Sequence, residues 1–127
     1  MKKQKIKWFA QPESHDYPAA VSYLSLMFNE GDAKRISGNL KTARVKEFKA
    51  KDIFRASQLS LLGISNSHVN KNIKKIKKGE KMSPILLVRD KRNGSVIVAD
   101  GYHRLCAVYT FNEDILIPCK IVSFQGS

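Results

Sequence analysis

Asp100-Gly101-Tyr102-His103-Arg104 places an acid, a glycine, a phenol, an imidazole and a guanidinium in consecutive positions. The β-branched run Val96-Ile97-Val98 precedes them, and the apolar spacing after Arg104 is helical, which predicts a strand, a tight turn and a helix. The first amides of a helix have no intrahelical partner and carry the positive end of its dipole, so such a turn can hold a phosphate or carboxylate. Gly101 lets a ligand approach, and His103 and Arg104 add side-chain donors. A plain hairpin turn is the competing reading of Asp100-Gly101, and the helical spacing beyond it favours the anion site. His103 by itself reads as structural. Beside Arg104 it becomes a phosphate contact whose charge depends on that neighbour and on the anion.

The elements that must position this turn lie mainly upstream. Pro84 introduces the continuous apolar run Ile85-Leu86-Leu87-Val88, and Asn93-Gly94 is a hairpin signal before Ser95 to Ala99. Two strands therefore lead into the turn. Before them Val69, Ile73 and Ile76 have helical spacing, Ser65-Asn66-Ser67 has the composition of an N-cap, and Gly79 sits where a helix-ending glycine belongs. Lys71, Lys74, Lys75, Lys77, Lys78 and Lys81 make this basic helix, read from Lys71 to Lys81, either a solvated face or a nucleic-acid surface. After the turn, a helix to Phe111, a turn at Asn112-Glu113-Asp114 and a strand over Ile117 to Val122 complete the order.

The amino-terminal part opens with a basic, partly extended lead-in over 1–17 containing Trp8, Phe9 and Pro12. A helix over Pro18 to Phe28 follows, with Pro18 in its first position and Val21, Leu24 and Phe28 on one face. Asn29-Glu30-Gly31 breaks it, and Asp32 caps a second helix through Ala33, Ile36 and Leu40. A short strand at Glu47 to Ala50 and a turn or short helix capped by Asp52 come next. Glu13, His15 and Asp16, three ionisable residues within four positions, admit a second role as an acidic corner over the anion site.

The 127 residues suffice for one domain with a real core. A formal net charge of +12, from 23 Lys and Arg against 11 Asp and Glu, attracts polyanions. Only 6 of those cations are arginine, which favours a diffuse field over bidentate reading of bases. No apolar run approaches the roughly 20 residues that span a bilayer. No signal-type apolar region follows Met1-Lys2-Lys3-Gln4-Lys5 either, so no membrane partner and a cytoplasmic location are expected. Cys106 and Cys119 lack CxxC spacing and read as small core residues.

The order of strand, basic helix ending in glycine, strand, hairpin, strand, turn, helix and strand resembles the ParB/sulfiredoxin superfamily. The resemblance runs from about Phe48 to Val122. It rests on Lys78-Gly79 followed by Ser83-Pro84-Ile85, on Asp100-Gly101-Tyr102-His103-Arg104 with Ala107 beyond, and on Ile117-Pro118-Cys119-Lys120-Ile121. It implies a single compact α+β domain with helices packed on a small mixed sheet and extra N-terminal helices. Residues 1–47 would be a helical extension packed on the core, 48–122 the ParB/sulfiredoxin-like domain and 123–127 a loose tail. It implies phosphate or nucleotide binding by Gly101, Tyr102, His103, Arg104 and Ser83, with Asp100 and His103 as catalytic candidates. The cofactor would be ATP or CTP with Mg²⁺, and the activity a weak NTP hydrolysis.

Departures from the family pattern narrow this. Sulfiredoxins carry their reactive cysteine where Tyr102 stands, and a tyrosine cannot form the sulfur-linked intermediate. ParB clamps continue into a helix-turn-helix, whereas only Ser123 to Ser127 follow here. The family's free-serine kinases use a glutamate soon after their first strand, and Phe54 to Val69 contains no Glu or Asp. A nuclease needs metal-holding carboxylates; only Asp100 sits at the turn, with Asp90, Glu113 and Asp114 in neighbouring turns, so no resident metal is expected. A non-catalytic nucleic-acid accessory protein acting through the lysine helix is the alternative from another class, and a small-molecule kinase or nuclease the third.

Overall fold

A strand that is apolar at every position needs cover on both faces, and Ile85-Leu86-Leu87-Val88 dictates the layering. The computed structural model describes residues 5–124. In chain order its first elements are β1 (Lys7–Trp8), α1 (Asp16–Leu24), α2 (Glu30–Thr42), β2 (Val45–Lys49) and α3 (Ala50–Ser57). They are followed by α4 (Ser67–Lys77), β3 (Lys81–Met82), β4 (Ile85–Asp90), β5 (Ser95–Asp100), α5 (Tyr102–Phe111) and β6 (Leu116–Ser123). The main sheet has the order β2-β6-β4-β5; β4 runs parallel to β6 and antiparallel to β5, and β6 antiparallel to β2. β1 and β3 form a separate parallel pair.

Alternate residues of β4 enter different cores. Ile85 and Leu87 join Ile53, Ile73, Ile76 and Leu105 from α3, α4 and α5. Leu86 and Val88 join Leu24, Ile36 and Leu40 from α1 and α2 on the other face. Helices therefore cover both faces, and the amino-terminal helices are one of the two covering layers. Lys120 of β6 is buried beneath them, and its Nζ donates to the Lys41 carbonyl in the last turn of α2 at 2.8 Å. Burial lowers its pKa, and the carbonyl supplies the partner that an ammonium in such a place requires. No helix among the described residues is long and apolar enough to cross a membrane.

Several local expectations are corrected. α1 begins at Asp16, so Pro18 is its third residue, and it ends at Leu24. The amides of Leu26 and Met27 bond three residues back, tightening the chain into a turn before Phe28. Asn29 does not break a helix but caps α2, accepting from the Asp32 amide at 2.8 Å. α3 starts at Ala50, with Asp52 inside its first turn instead of capping it. The 47/48 boundary falls within β2, whose residues pair with β6 from Val45 onward. Lys81 lies in β3, because the basic helix ends at Lys77 and Gly79 turns the chain at φ 77°. Ser123 belongs to β6 and Phe124 packs on Phe28 with ring centroids 5.3 Å apart, so neither is loose; the rest of the expected tail lies outside the described residues.

Candidate functional site

β5 ends at Asp100 and α5 begins at Tyr102, so the Asp100-Gly101 pair is a strand-to-helix turn and not a hairpin. Gly101 occupies the N-cap at φ 108°, and no side chain caps the helix. A β-carbon at Gly101 would lie 2.9 Å from Ile85 Cγ1 and 2.9 Å from Arg104 Nη2. Arg104 thus folds back across the turn, and glycine is what lets the guanidinium and the β4 core approach the backbone so closely.

The guanidinium is held from several sides. Its Nε donates to the Ser83 carbonyl at 3.0 Å, and its Nη2 to the Pro84 carbonyl at 3.3 Å and to Asp100 Oδ2 at 3.0 Å. A second carboxylate oxygen, Asp16 Oδ2, lies 3.8 Å from Nη2. Arg104 Nη1 has no partner among the described residues, and since no buried side-chain nitrogen or oxygen lacks one, Nη1 faces solvent. Asp100 titrates above the ordinary carboxylate value: burial is the main cause, Asp16 adds to it, and Arg104 opposes it.

Asp16 comes from the start of α1 and is only 2% exposed. Its Oδ2 accepts from the Ser83 hydroxyl and from the Glu13 amide at 3.1 Å. That same amide also lies 3.1 Å from Ser83 Oγ as donor. His15 lies over the cluster, with Nε2 3.4 Å from Asp16 Oδ1 and Nδ1 3.6 Å from Glu13 Oε2. The β1–β3 pair and the bond from the Phe9 amide to the Met82 carbonyl at 2.8 Å bring this segment beside Ser83. Glu13, His15 and Asp16 are therefore gathered beside the turn as the corner considered from sequence. Ser83, expected as a phosphate contact, is buried and joins Asp16 to Arg104, through its hydroxyl and its carbonyl.

The remaining residues of the turn diverge. The Tyr102 hydroxyl donates to the Ser60 carbonyl and ties down the segment between α3 and α4. His103 turns toward α4, where its ring meets that of His68 with centroids 4.9 Å apart. Burial and the charge of His68 hold the His103 pKa below the ordinary imidazole value. His68 was not singled out from the sequence; its position just beyond the Asn66 cap was visible, but the meeting of two helix starts was not. Lys71, Lys74 and Lys77 are exposed on α4, Lys75 is half-buried, and Lys78 is exposed at the C-cap just beyond it, while Val69, Ile73 and Ile76 are buried. Cys106 and Cys119 are buried and unbonded to each other, and burial pushes the Cys119 thiol up to about 12.

A cavity of about 780 Å³ lies at the other end of the sheet between the α1–α2 corner and the β4–β5 hairpin. Its acids already serve local structure: Asp32 accepts from Asn29 and pairs with Arg35, and Asp90 accepts from Asn93. The turn at Asp100 to Arg104, with its uncapped helix and open guanidinium edge, is the stronger site. Comparison of the chain with protein-family models, with curated proteins and with solved structures found no match.

Proposed function

We propose that this chain binds phosphorylated ligands, nucleotides foremost, at the Asp100–Arg104 turn, as a domain of the ParB/sulfiredoxin type. The observation that carries this reading is that α5 starts at Tyr102, after the Gly101 N-cap, without a capping side chain while Arg104 is clamped with Nη1 outward. A phosphate there would accept from first-turn amides and from Nη1, with His103 alongside. Asp16 and Asp100 offset the charge of Arg104, and both already face it. Mg²⁺ fits as an ion carried on the nucleotide phosphates and water, since Asp16 is nearly inaccessible and Asp100 Oδ2 is already held by Arg104. Catalysis would be slow NTP hydrolysis, with Asp100 and His103 nearest the phosphates. Calorimetric titration with ATP, CTP and ADP, with and without Mg²⁺, is expected to show binding that His103→Gln weakens severalfold. No binding to any of the three rejects the reading.

A second reading, nucleic-acid binding through α4, is favoured by one observation: not one of Lys71, Lys74, Lys75, Lys77 and Lys78 enters an ion pair among the described residues. Counterion release makes such binding fall steeply with salt. In gel shifts at rising salt, the quadruple change of Lys74, Lys75, Lys77 and Lys78 to Glu is expected to abolish the shifted band. An unchanged band, or one insensitive to salt, argues against this surface.

A further inference from the structure

We propose that His68 and His103 together seat one phosphate group of the ligand, and that this group binds with uptake of protons onto the pair. The inference rests on the phosphate reading above and adds to it a contact from a different helix and a pH dependence.

The geometry begins with the packing of α4 on α5. Val69, Ile73 and Ile76 of α4 share a core with Leu105, Cys106 and Val108 of α5, which sets the two helix starts side by side. The imidazoles then meet at 4.9 Å between centroids and 41° between planes, although 35 positions separate them in the chain. Asn66 Oδ1 accepts from the His68 and Val69 amides at 3.0 and 3.1 Å, so the first turn of α4 is satisfied and the His68 ring is left to other partners. None of the four ring nitrogens of the pair has a hydrogen-bond or ion-pair partner among the described residues. Asn72 and Asn66 serve the backbone of α4 and do not reach the rings.

Among the described residues, no acid acts on His103. From α4, His68 faces His103, and Lys71 lies one turn further along the helix. From α5, the Tyr102 ring lies 5.4 Å from His103, and Arg104 points back over Gly101. Asp100 and Asp16, the acids of the neighbouring cluster, are turned to Arg104. Burial first, and repulsion between two imidazolium rings second, make His103 resist protonation, and no counter-charge beside the pair compensates. A phosphate dianion supplies the missing counter-charge and accepts from both rings, so binding and protonation reinforce each other.

The test is calorimetric titration of the full chain with inorganic phosphate and, separately, with sulfate, whose charge is constant over this range, between about pH 8 and about pH 6. Repeating it in buffers of different ionisation heat counts protons. For the natural sequence, affinity for sulfate as well as phosphate is expected to rise roughly tenfold toward the lower pH, with about one proton taken up. His68→Asn is expected to remove most of that rise and the proton uptake, with circular dichroism and melting temperature at the higher pH unchanged. His103→Asn serves as the second variant should His68→Asn perturb the fold. Unchanged affinity and proton count in both variants would overturn the proposal while leaving the phosphate site standing. Failure of the natural chain to bind phosphate, sulfate or ATP at any pH overturns the phosphate reading and this inference with it.

Discussion

Arg104→Met is expected to destabilise the fold by about 3 kcal/mol, because it removes the cation between two carboxylates and leaves them facing each other. Asp16 is nearly inaccessible, Arg104 and Asp100 are each 17% exposed, and solvent therefore screens the cluster only in part. The carbonyls of Ser83 and Pro84 lose their donors at the same time. Urea denaturation monitored by circular dichroism gives the stability. Arg104→Lys restores the charge but not the planar fork that reaches Ser83, Pro84 and Asp100 together, so it should recover less than half of the loss. A cost below about 1 kcal/mol for Arg104→Met would mean that the cluster behaves as an exposed surface pair. The consequence extends to the amino-terminal segment: with Arg104 gone, hydrogen exchange at β1 and β3 should accelerate, since Asp16 loses its cation.

Gly101→Ala is expected to cost a similar amount, about 3 kcal/mol, from two separate causes. A φ of 108° is strained for any residue with a β-carbon. The added atom would also sit 2.9 Å from Ile85 Cγ1, deep in the core and unable to yield, and 2.9 Å from the tethered end of Arg104. Thermal melting and urea titration together read the loss. Ligand affinity supplies the second measurement, because displacing Arg104 also moves the solvent-facing Nη1. An alanine variant as stable as the natural chain would show that the turn relaxes to another backbone conformation and that the close approach is not required.

What was legible in the chain was local. The Val96 to Val98 run, the Asp-Gly pair and the helical spacing beyond Arg104 place β5, the turn and α5 correctly because each depends on neighbours a few residues away. Asn93-Gly94 and Gly79 behaved as turn and helix-end signals for the same reason: Gly94 sits at φ 62° and Gly79 at φ 77°. Lys81 was misplaced because lysine continues past Gly79 without a compositional break, and what makes it strand is a partner, Lys7, 74 positions away. The sequence extends α1 past its end because apolar residues persist to Phe28, while the chain already turns at Leu26 and Met27 to pack α2 against α1. The resemblance makes Ser83 a phosphate contact, and the bond of its buried hydroxyl to Asp16 depends on a residue 67 positions away that no local pattern reveals.

The sequence by itself determined that a strand-to-helix turn exists, which residues compose it, and that a central apolar strand leads to it, since periodicity, glycine and turn chemistry act over a few positions. Only the tertiary structure decided where those side chains go. Arg104 is clamped by carboxylates from residues 16 and 100 and by carbonyls at 83 and 84, and His103 is paired with His68. These contacts join segments up to 88 positions apart, and no local preference encodes them. They arise because β4 must be covered on both faces, which brings α1 to one side of the turn and α4 to the other.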